Sequence, residues 1–291
     1  MRWQEVLARL IKNKISLLGI LIILFFVLVA IFAPSLAPPA DSNNPYNIPR
    51  SGWGVEPKPP GGDNLFGTTE GQYDIYYGMV WGTRTAFKIG IIVVGISTII
   101  GMVVGTISAY YGGLVDEVLM RITDIFMSIP FLIAAIVFTT ILGKGLNKVM
   151  ISLVTFGWMS TARLMRSQVI ETKSEEFIEA ARALGAADLR IIFRHVVINC
   201  IYPVIIQASM RMGSMVITAS TLSFLGIGAP EGYSDWGQMI SFARNWILGT
   251  QGNPLNYWYT VVIPGFAITM FCLSWNLIGD AFRDILDPKL Q

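Results

Sequence analysis

The sequence predicts an all-α integral membrane protein with six transmembrane helices, and two observations carry this prediction. The chain has 291 residues, of which 53% are hydrophobic and only 14% charged, whereas soluble domains carry about 25% charged residues. A bilayer is crossed by roughly 17 or more apolar residues, and in lipid the backbone groups of such a stretch must be satisfied within a helix. Four stretches without Asp, Glu, Lys or Arg reach this length: 15–32, 89–110, 125–142 and 257–278. Weaker spans at 149–162 and 196–220 complete the set of six.

The polar segments between these spans divide the chain. Residues 1–33 are predicted as a basic start and the first transmembrane helix, and residues 34–85, rich in Pro, Gly and Asn, as an external loop. The first apolar run is longer than the ~7–15 residues of a signal-peptide core, so we expect an uncleaved anchor. Residues 86–280 are predicted as a core of five helices that includes the loop 171–195, and residues 281–291 as a cytoplasmic tail.

Three features inside the core helices predict how those helices pack. Gly101 and Gly105 form a G-x-x-x-G pair, which lets another helix approach closely. Pro130 lies within the third helix and should kink it. Arg211 lies within the fifth helix, where a charge is costly unless it faces the bundle interior or water. Arg211 is therefore a candidate residue of a translocation path, or else a structural partner of backbone carbonyls.

The distribution of basic residues predicts the orientation, because Lys and Arg favour short cytoplasmic segments. With the N-terminus inside, the cytoplasmic side holds 13 Lys and Arg and the opposite side holds 7. We therefore expect a multi-pass protein of the cell (plasma or inner) membrane with both termini in the cytoplasm. The cytoplasmic segments in this topology are 1–14, 111–124, 163–195 and 279–291.

The segment 171–195, which we call the coupling loop, is the most informative part of the chain. It is charged and far longer than a minimal hairpin. Thr172 and Glu175 fit a capping box that starts a helix. Phe177, Ala181 and Leu184 then recur at helical spacing and give that helix one apolar face.

The second half of the coupling loop predicts another short helix. Gly185 suits the C-terminal cap of the first helix, and Asp188 can start the second. Its apolar side consists of Ile191, Ile192 and Val196. Two short helices joined at a glycine would form a compact knob, which either lies on lipid or docks onto a soluble partner.

The string that runs from Glu179 to Val196 is EAARALGAADLRIIFRHV. It closely resembles the cytoplasmic "EAA" loop of ABC importer permeases, specifically the second permease subunit of the dipeptide/oligopeptide/nickel type. In that family the loop fits a groove on the ATP-binding subunit and transmits its movement. The resemblance assigns this docking role to five residues, Glu179, Ala180, Ala181, Leu184 and Gly185. The family often has Leu-Pro after the histidine, whereas Val197 and Ile198 stand there in this chain.

The resemblance covers most of the chain and implies a type I transmembrane domain of an ABC importer. Further matching segments are 222–228, 235–237, 243–245, 276–280, 283–284 and 286–288. The implied partners are a second homologous permease subunit, two ATP-binding subunits, an extracellular or periplasmic substrate-binding protein and the lipid bilayer. No cofactor is expected on this chain, since ATP and Mg would be used by the partner subunits. A net charge of +2 gives no reason to expect nucleic acid.

One external region departs from the family pattern and leaves the solute open. The family commonly reads G-T-D-x-x-G-R-D, then S-R, before G-x-R. This chain has Thr69, Gln72, Tyr73 and Gly78 at four of those positions. Added Tyr and Gln are compatible with a sugar-binding surface and equally with loop packing. We therefore expect import of peptides, with oligosaccharides as the alternative.

Two other classes of protein fit the sequence less well. A membrane enzyme would need a catalytic set, and the chain has a single histidine and no H-E-x-x-H, G-x-S-x-G or phosphate-binding loop. Asp116, Glu117 and Asp124 cluster in sequence, but Asp124 with Arg121 is better explained as a structural charge group. A secondary transporter often carries acidic residues near the middle of the membrane, and none of the six predicted spans has a central Asp or Glu.

Overall fold

The computed structural model describes residues 14–247, 253 and 255–286. The predicted basic start at 1–13 and the last tail residues, 287–291, lie outside these described residues. In chain order the helices are α1 (Lys14–Leu36), α2 (Ile75–Tyr111), α3 (Gly113–Met127), α4 (Phe131–Leu142), α5 (Leu146–Gly157), α6 (Met159–Thr172), α7 (Glu176–Ala183), α8 (Asp188–Phe224), α9 (Trp236–Phe242) and α10 (Tyr259–Leu286).

Length and hydropathy support four or five membrane spans among the described residues. Helices α1, α2, α8 and α10 are each long and apolar enough to cross a bilayer, and α3 with α4 passes the same test as a bent pair. The predicted span at 149–162 falls across α5 and α6, which separate at Trp158. The all-helical membrane fold is confirmed, whereas the count of six spans is not.

The predicted kink at Pro130 is a full break. Helices α3 and α4 meet at 85°, and Pro130 is the residue that precedes α4. A proline has no N–H to continue the α3 ladder, and it disfavours helical backbone at the residue before it. The Pro130 carbonyl accepts the first hydrogen bond of α4 from Ala134 N at 3.0 Å.

Two helices are longer in the structure than the sequence predicts. Helix α2 begins at Ile75 instead of residue 89, because the Asp74 carboxylate accepts the Tyr77 N–H at 3.0 Å and caps it. Helix α10 runs to Leu286, through the start of the predicted tail. Charged residues such as Arg84 end an apolar run in the sequence without ending the helix. Arg84 continues α2 because its guanidinium donates to the Ala30 and Ile31 carbonyls of α1, at 2.5 and 3.3 Å.

Glycine spacing determines the contact between α2 and α6. A Cβ built on Gly101 would lie 2.6 Å from the Thr161 Cβ, and one on Gly105 would lie 2.3 Å from the Ala162 carbonyl oxygen. Real Cβ atoms do not approach that closely, so the close approach predicted from the G-x-x-x-G pair is confirmed.

The four residues that depart from the family pattern are packed where the external loop, which we call the external segment, joins the start of α2. Thr69 is fully buried and Tyr73 is 6% exposed, with the Tyr73 ring stacked on Phe242 at 5.2 Å. The backbone of Gln72 has φ +58°, and a Cβ at Gly78 would lie 2.7 Å from the Met239 sulfur. These four residues shape the fold of the segment, so they support loop packing and not a sugar-binding surface.

The connection between α8 and α10 is anchored in the bundle by α9. The Trp236 ring packs against Phe26 and Phe271, with centroids 5.8 and 5.9 Å apart. The Asp235 carboxylate accepts the Gln238 N–H at 2.8 Å and caps α9. Because Asp235 is buried, the pKa of its carboxyl is raised from 3.8 to about 6.

The buried carboxyl of Asp235 predicts a dependence of stability on pH. Between pH 4 and 6 the folded chain keeps a proton that the unfolded chain releases, so stability falls as pH rises through this window. Asp235→Asn keeps an acceptor for Gln238 and removes the titration. Relative to wild type, the variant should gain up to about 3 kcal/mol between pH 4 and 7, read from melting curves of the purified protein.

A second variant provides the control with the opposite sign. The pKa of the exposed Asp41 carboxyl is lowered, chiefly by the Asn43 N–H. Asp41→Asn should therefore lose stability relative to wild type as pH rises. If the curves of Asp235→Asn and wild type stay parallel, the buried carboxyl does not titrate in this window.

Candidate functional site

The coupling loop consists of α7, a glycine turn and the start of α8. After α7, Gly185 has φ +77°. Its N–H donates to the Arg182 carbonyl at 3.0 Å, and the next N–H, from Ala186, donates to the Ala181 carbonyl at 3.1 Å. This pair of bonds is the Schellman motif, so the predicted cap at Gly185 is confirmed. Asp188 begins the next helix, also as predicted.

The predicted capping box at the start of α7 is wrong. Thr172 is the last residue of α6, and its hydroxyl contacts the Cys200 sulfur at 3.2 Å. Helix α7 begins after Glu175, whose side chain makes no capping bond. The contact with Cys200 holds Thr172 against α8. Residues 173–175 then form the turn that leads into α7.

The apolar face of α7 predicted from the sequence points for the most part away from the chain's own core. Ile178 is fully buried, and Ala181 is half-buried against the same cluster. Phe177 and Leu184 are exposed, Leu184 at 89%. Helix α7 therefore uses Ile178 and part of Ala181 to hold the loop in place and presents Phe177 and Leu184 outward.

The motif residues are accessible to a partner. Glu179 and Ala180 are exposed on α7, and within the described residues the Glu179 side chain has no hydrogen bond or ion pair. Leu189 and Phe193 on the following helix are also exposed, at 66% and 68%. The outer surface of the coupling loop thus combines free apolar side chains with a free carboxylate.

Hydrogen bonds fix the coupling loop to the end of α2. The Tyr110 hydroxyl donates to the Asp188 carboxylate at 2.7 Å. The Lys173 ammonium donates to the Ala109 carbonyl at 2.8 Å. Beneath them, Ile178 and Ile191 are buried in one apolar cluster with Tyr110. The loop is therefore attached by hydrogen bonds and apolar packing to a helix that crosses the bundle.

The second predicted short helix is not separate from the fifth span. It continues from Asp188 through a π-helical turn, Ile192–Val196, into the long part of α8. Ile191, Ile192 and Val196 form its buried side, as predicted. A proline at the position of Ile198 would lack an N–H and disfavour helical backbone before it. Ile198 keeps its backbone N–H, and the helix is continuous between the loop and the membrane.

Two ion pairs that the sequence did not reveal join α3 to α6. The Arg166 guanidinium donates from Nε and one terminal nitrogen to the two oxygens of Asp116, both at 2.6 Å. Asp124 pairs with Arg163 at 2.5 Å, and not with Arg121 as expected. Helix α6 leads directly into the coupling loop, so these pairs connect the loop to the bent helix pair α3–α4.

The bidentate pair should contribute measurably to stability. Asp116→Asn leaves Arg166 without its counter-charge and should lower stability by about 1–3 kcal/mol. Adding Arg166→Gln should recover part of that loss, because neither charge then remains unpaired. The coupling energy from this double-mutant cycle, measured by thermal melts, checks the prediction.

The matched control for this cycle is the exposed pair Glu117–Arg121 on α3, 3.2 Å apart. Its side chains are 58% and 77% exposed, so its coupling energy should be below about 0.5 kcal/mol. Equal coupling energies in the two cycles would contradict a stabilising role for Asp116 and Arg166.

Arg211 lies in the middle of α8 and reaches the junction of α5 and α6. Its guanidinium donates to the Gly157 carbonyl and, at 2.9 Å, to the Thr161 hydroxyl. The Thr161 hydroxyl donates in turn to the Gln207 amide oxygen at 3.0 Å. Because the helix breaks at Trp158, the Gly157 carbonyl is available to Arg211. Arg211 therefore makes the contact with a backbone carbonyl that was one of its two predicted roles.

Arg211 also belongs to a row of polar residues along α8. This polar stripe consists of Gln207, Arg211, Ser214, Thr218 and Thr221. The spacing of four, three, four and three residues places them on one side of the helix. All five are half-buried or exposed, whereas Met212, Met215 and Ala219 on another side are buried.

Comparison with known families covers almost the whole chain. Residues 97–291 match the family described as binding-protein-dependent transport system inner membrane component. Residues 2–60 match the N-terminal TM domain of oligopeptide transport permease C.

Individual relatives agree with this family assignment. The dipeptide transport system permease protein DppC of Alkalihalophilus pseudofirmus is 37% identical over 99% of this chain and 90% of its own length. The oligopeptide transport system permease protein OppC of Bacillus subtilis is 34% identical over the same shares. The glutathione transport system permease protein GsiD of Pectobacterium atrosepticum is 32% identical over 99% of this chain and 92% of its own length.

A solved structure supports the fold. A chain of the MetNI methionine ABC transporter, in an inward facing conformation, superimposes with a TM-score of 0.53 and 20% identity. The match covers 71% of this chain and 96% of that chain. Together with the family match over residues 97–291 and relatives more than 30% identical along nearly their whole length, these findings show that the chain belongs to the binding-protein-dependent transport system inner membrane components.

Proposed function

We propose that this chain is a permease subunit of an ATP-driven importer of dipeptides or oligopeptides. The observation that carries the proposal is the coupling loop, which is fixed to α2 and presents Leu184, Leu189 and Phe193 outward. A loop that merely covered the end of the bundle would bury these side chains. Relatives named for dipeptide, oligopeptide and glutathione transport support a peptide solute.

The coupling loop would dock onto an ATP-binding subunit. In this proposal the exposed residues Phe177 and Leu184 enter an apolar groove, and Glu179 meets a basic or amide group beside it. The small side chains of Ala180 and Ala181 let α7 approach the groove closely. ATP hydrolysis takes place in two such partner subunits, so the chain itself is not the enzyme. The loop and both termini are then cytoplasmic.

The polar stripe on α8 would line half of the translocation path. Polar side chains at this depth are expensive against lipid and favour a water-filled path. A second homologous permease would supply the other half. An exposed apolar row on α4 fits the contact with that subunit and consists of Ile133, Val137 and Ile141.

The external segment would receive solute from a substrate-binding protein. The bridge Arg50–Tyr73 folds this segment on itself, and the bridge Asn47–Tyr233 joins it to the connection between α8 and α9. Since Gln72 and Tyr73 are packed into this fold, the residues that suggested oligosaccharides give no support to a sugar site.

Reconstitution tests the proposal directly. Proteoliposomes that contain the permease with its partner subunits, supplied with the binding protein, should accumulate di- to pentapeptides only when ATP is present. Ionophores that abolish ion gradients should leave uptake unchanged. Uptake driven by an ion gradient without ATP would favour a secondary transporter, and turnover of a substrate by the purified chain alone would favour an enzyme.

A further inference from the structure

Arg211 carries a positive charge that no acidic residue in the described part of the chain neutralises. The four ion pairs among the described residues involve Arg50, Arg121, Arg163 and Arg166. Arg211 has only a carbonyl and a hydroxyl as acceptors, Gly157 O and Thr161 Oγ1. Both are neutral, so the full charge remains inside a membrane-spanning helix, where an unpaired cation is costly.

The two hydrogen bonds hold the guanidinium without using all of its donors. A guanidinium has five N–H groups in a planar fork, and the described contacts of Arg211 occupy one on each terminal nitrogen. A Cβ on Gly157 would lie 3.4 Å from an Arg211 terminal nitrogen and 3.2 Å from the Ser97 Cβ. The glycine therefore allows the close approach of α2 at Ser97, and the guanidinium packs in ordinary contact beside it. The two hydrogen bonds orient the fork before any ligand arrives.

Arg211 is the one charged residue of the polar stripe, and the other residues of the stripe are neutral. The hydroxyls of Ser214, Thr218 and Thr221 donate to carbonyls of their own helix. Each of these oxygens retains acceptor capacity toward water but supplies no charge. A solute that carries a carboxylate would thus meet a single fixed cation along this stripe.

We propose that Arg211 is the transient counter-ion for a carboxylate of the transported solute, so that the imported peptides carry a free C-terminal carboxylate. This inference rests on the proposed function and names the chemistry of its solute. A planar fork with free N–H groups matches a carboxylate, and such charge-assisted hydrogen bonds are strongest away from bulk water. The bonds to Gly157 and Thr161 position the guanidinium, and the incoming carboxylate supplies the missing negative charge.

The test compares a tripeptide with its amide. Tri-alanine and tri-alanine amide differ at the C-terminal carboxylate. Each is supplied to proteoliposomes with the complete importer at a concentration that saturates the binding protein, measured separately. Wild type should import the free acid at least about tenfold faster than the amide, since a charge-assisted bond contributes at least one factor of ten.

Variants of Arg211 separate the counter-ion from a structural role. Arg211→Gln should abolish the preference, so that the free acid and the amide are imported at equal rates, with the acid losing more than the amide. Arg211→Lys keeps the charge and should retain part of the preference even if packing is disturbed. Arg84→Gln is the matched control, because Arg84 also lies in a spanning helix and has two neutral acceptors, the carbonyls of Ala30 and Ile31, but it lies against α1, away from the stripe. It should keep the full preference for the acid.

Two results would overturn the inference while leaving the proposed function intact. One is equal import of acid and amide by wild type, and the other is an equal loss of both in Arg211→Gln, which would make Arg211 a structural cap only. If wild type assembles and hydrolyses ATP but imports neither peptide, the proposed function itself fails and the inference falls with it.

Discussion

Replacing Leu184 with Asp is expected to separate the ATP-binding subunits from this permease while its own fold remains intact. Leu184 is 89% exposed at the end of α7, so the substitution costs the isolated chain little. In a docked complex the same side chain would occupy the centre of an apolar groove, where a carboxylate remains unpaired. Anchors of this kind contribute about 2 kcal/mol or more, so ATP-dependent uptake should fall by at least about 30-fold.

The measurement is co-purification of the ATP-binding subunits with the tagged permease, together with the melting temperature of the permease. Leu65→Asp provides the control, since Leu65 is also exposed, at 65%, but lies in the external segment. It should retain the subunits. If Leu184→Asp retains them as well and still supports uptake, the coupling loop is not the docking element.

The glycine turn of the coupling loop could be predicted from the sequence because its determinants are local. Gly185 follows directly after a helical pattern, and the positive φ that it adopts there favours glycine in any protein. Asp188 three residues later starts a helix by the same kind of local rule. Such signals need no information about the rest of the fold, and both predictions are confirmed.

The wrong predictions of helix boundaries arise where a contact with a residue distant in the sequence overrides the local sequence pattern. The capping box at Thr172 is absent because the hydroxyl contacts Cys200, 28 positions further along the chain. Helix α2 passes Arg84 without ending because carbonyls of α1 accept the hydrogen bonds of its guanidinium. Neither partner can be inferred from hydropathy or from helical spacing.

Two contacts made by arginine side chains could also not be predicted, because their partners are distant in the sequence. Arg166 and Asp116 are 50 residues apart, and Arg211 is 54 residues from the Gly157 carbonyl. The sequence indicated that Arg211 had to face the bundle interior or water. The sequence could not identify the carbonyl that Arg211 reaches, because that contact depends on the break between α5 and α6 at Trp158.

Gly105→Leu is expected to prevent normal folding of the bundle. A Cβ at this position would lie 2.3 Å from the Ala162 carbonyl oxygen and 2.9 Å from the Met165 Cβ, and the backbone of α6 cannot move without moving the coupling loop attached to it. Overpacking against flexible side chains costs about 1–3 kcal/mol, and a clash with backbone exceeds that range. We expect a loss of monodisperse protein in detergent, with Gly105→Ala showing a smaller decrease in melting temperature.

Gly95 provides the control on the same helix, because a Cβ there meets nothing within 4 Å. Gly95→Leu adds the same side chain at an exposed position and should fold normally, with a slightly better helix propensity than glycine. If both leucine variants behave alike, α2 and α6 do not pack closely through Gly105 in the folded protein. The attachment of the coupling loop to α2 would then have to depend on the Tyr110–Asp188 and Lys173–Ala109 hydrogen bonds and on the apolar cluster beneath them.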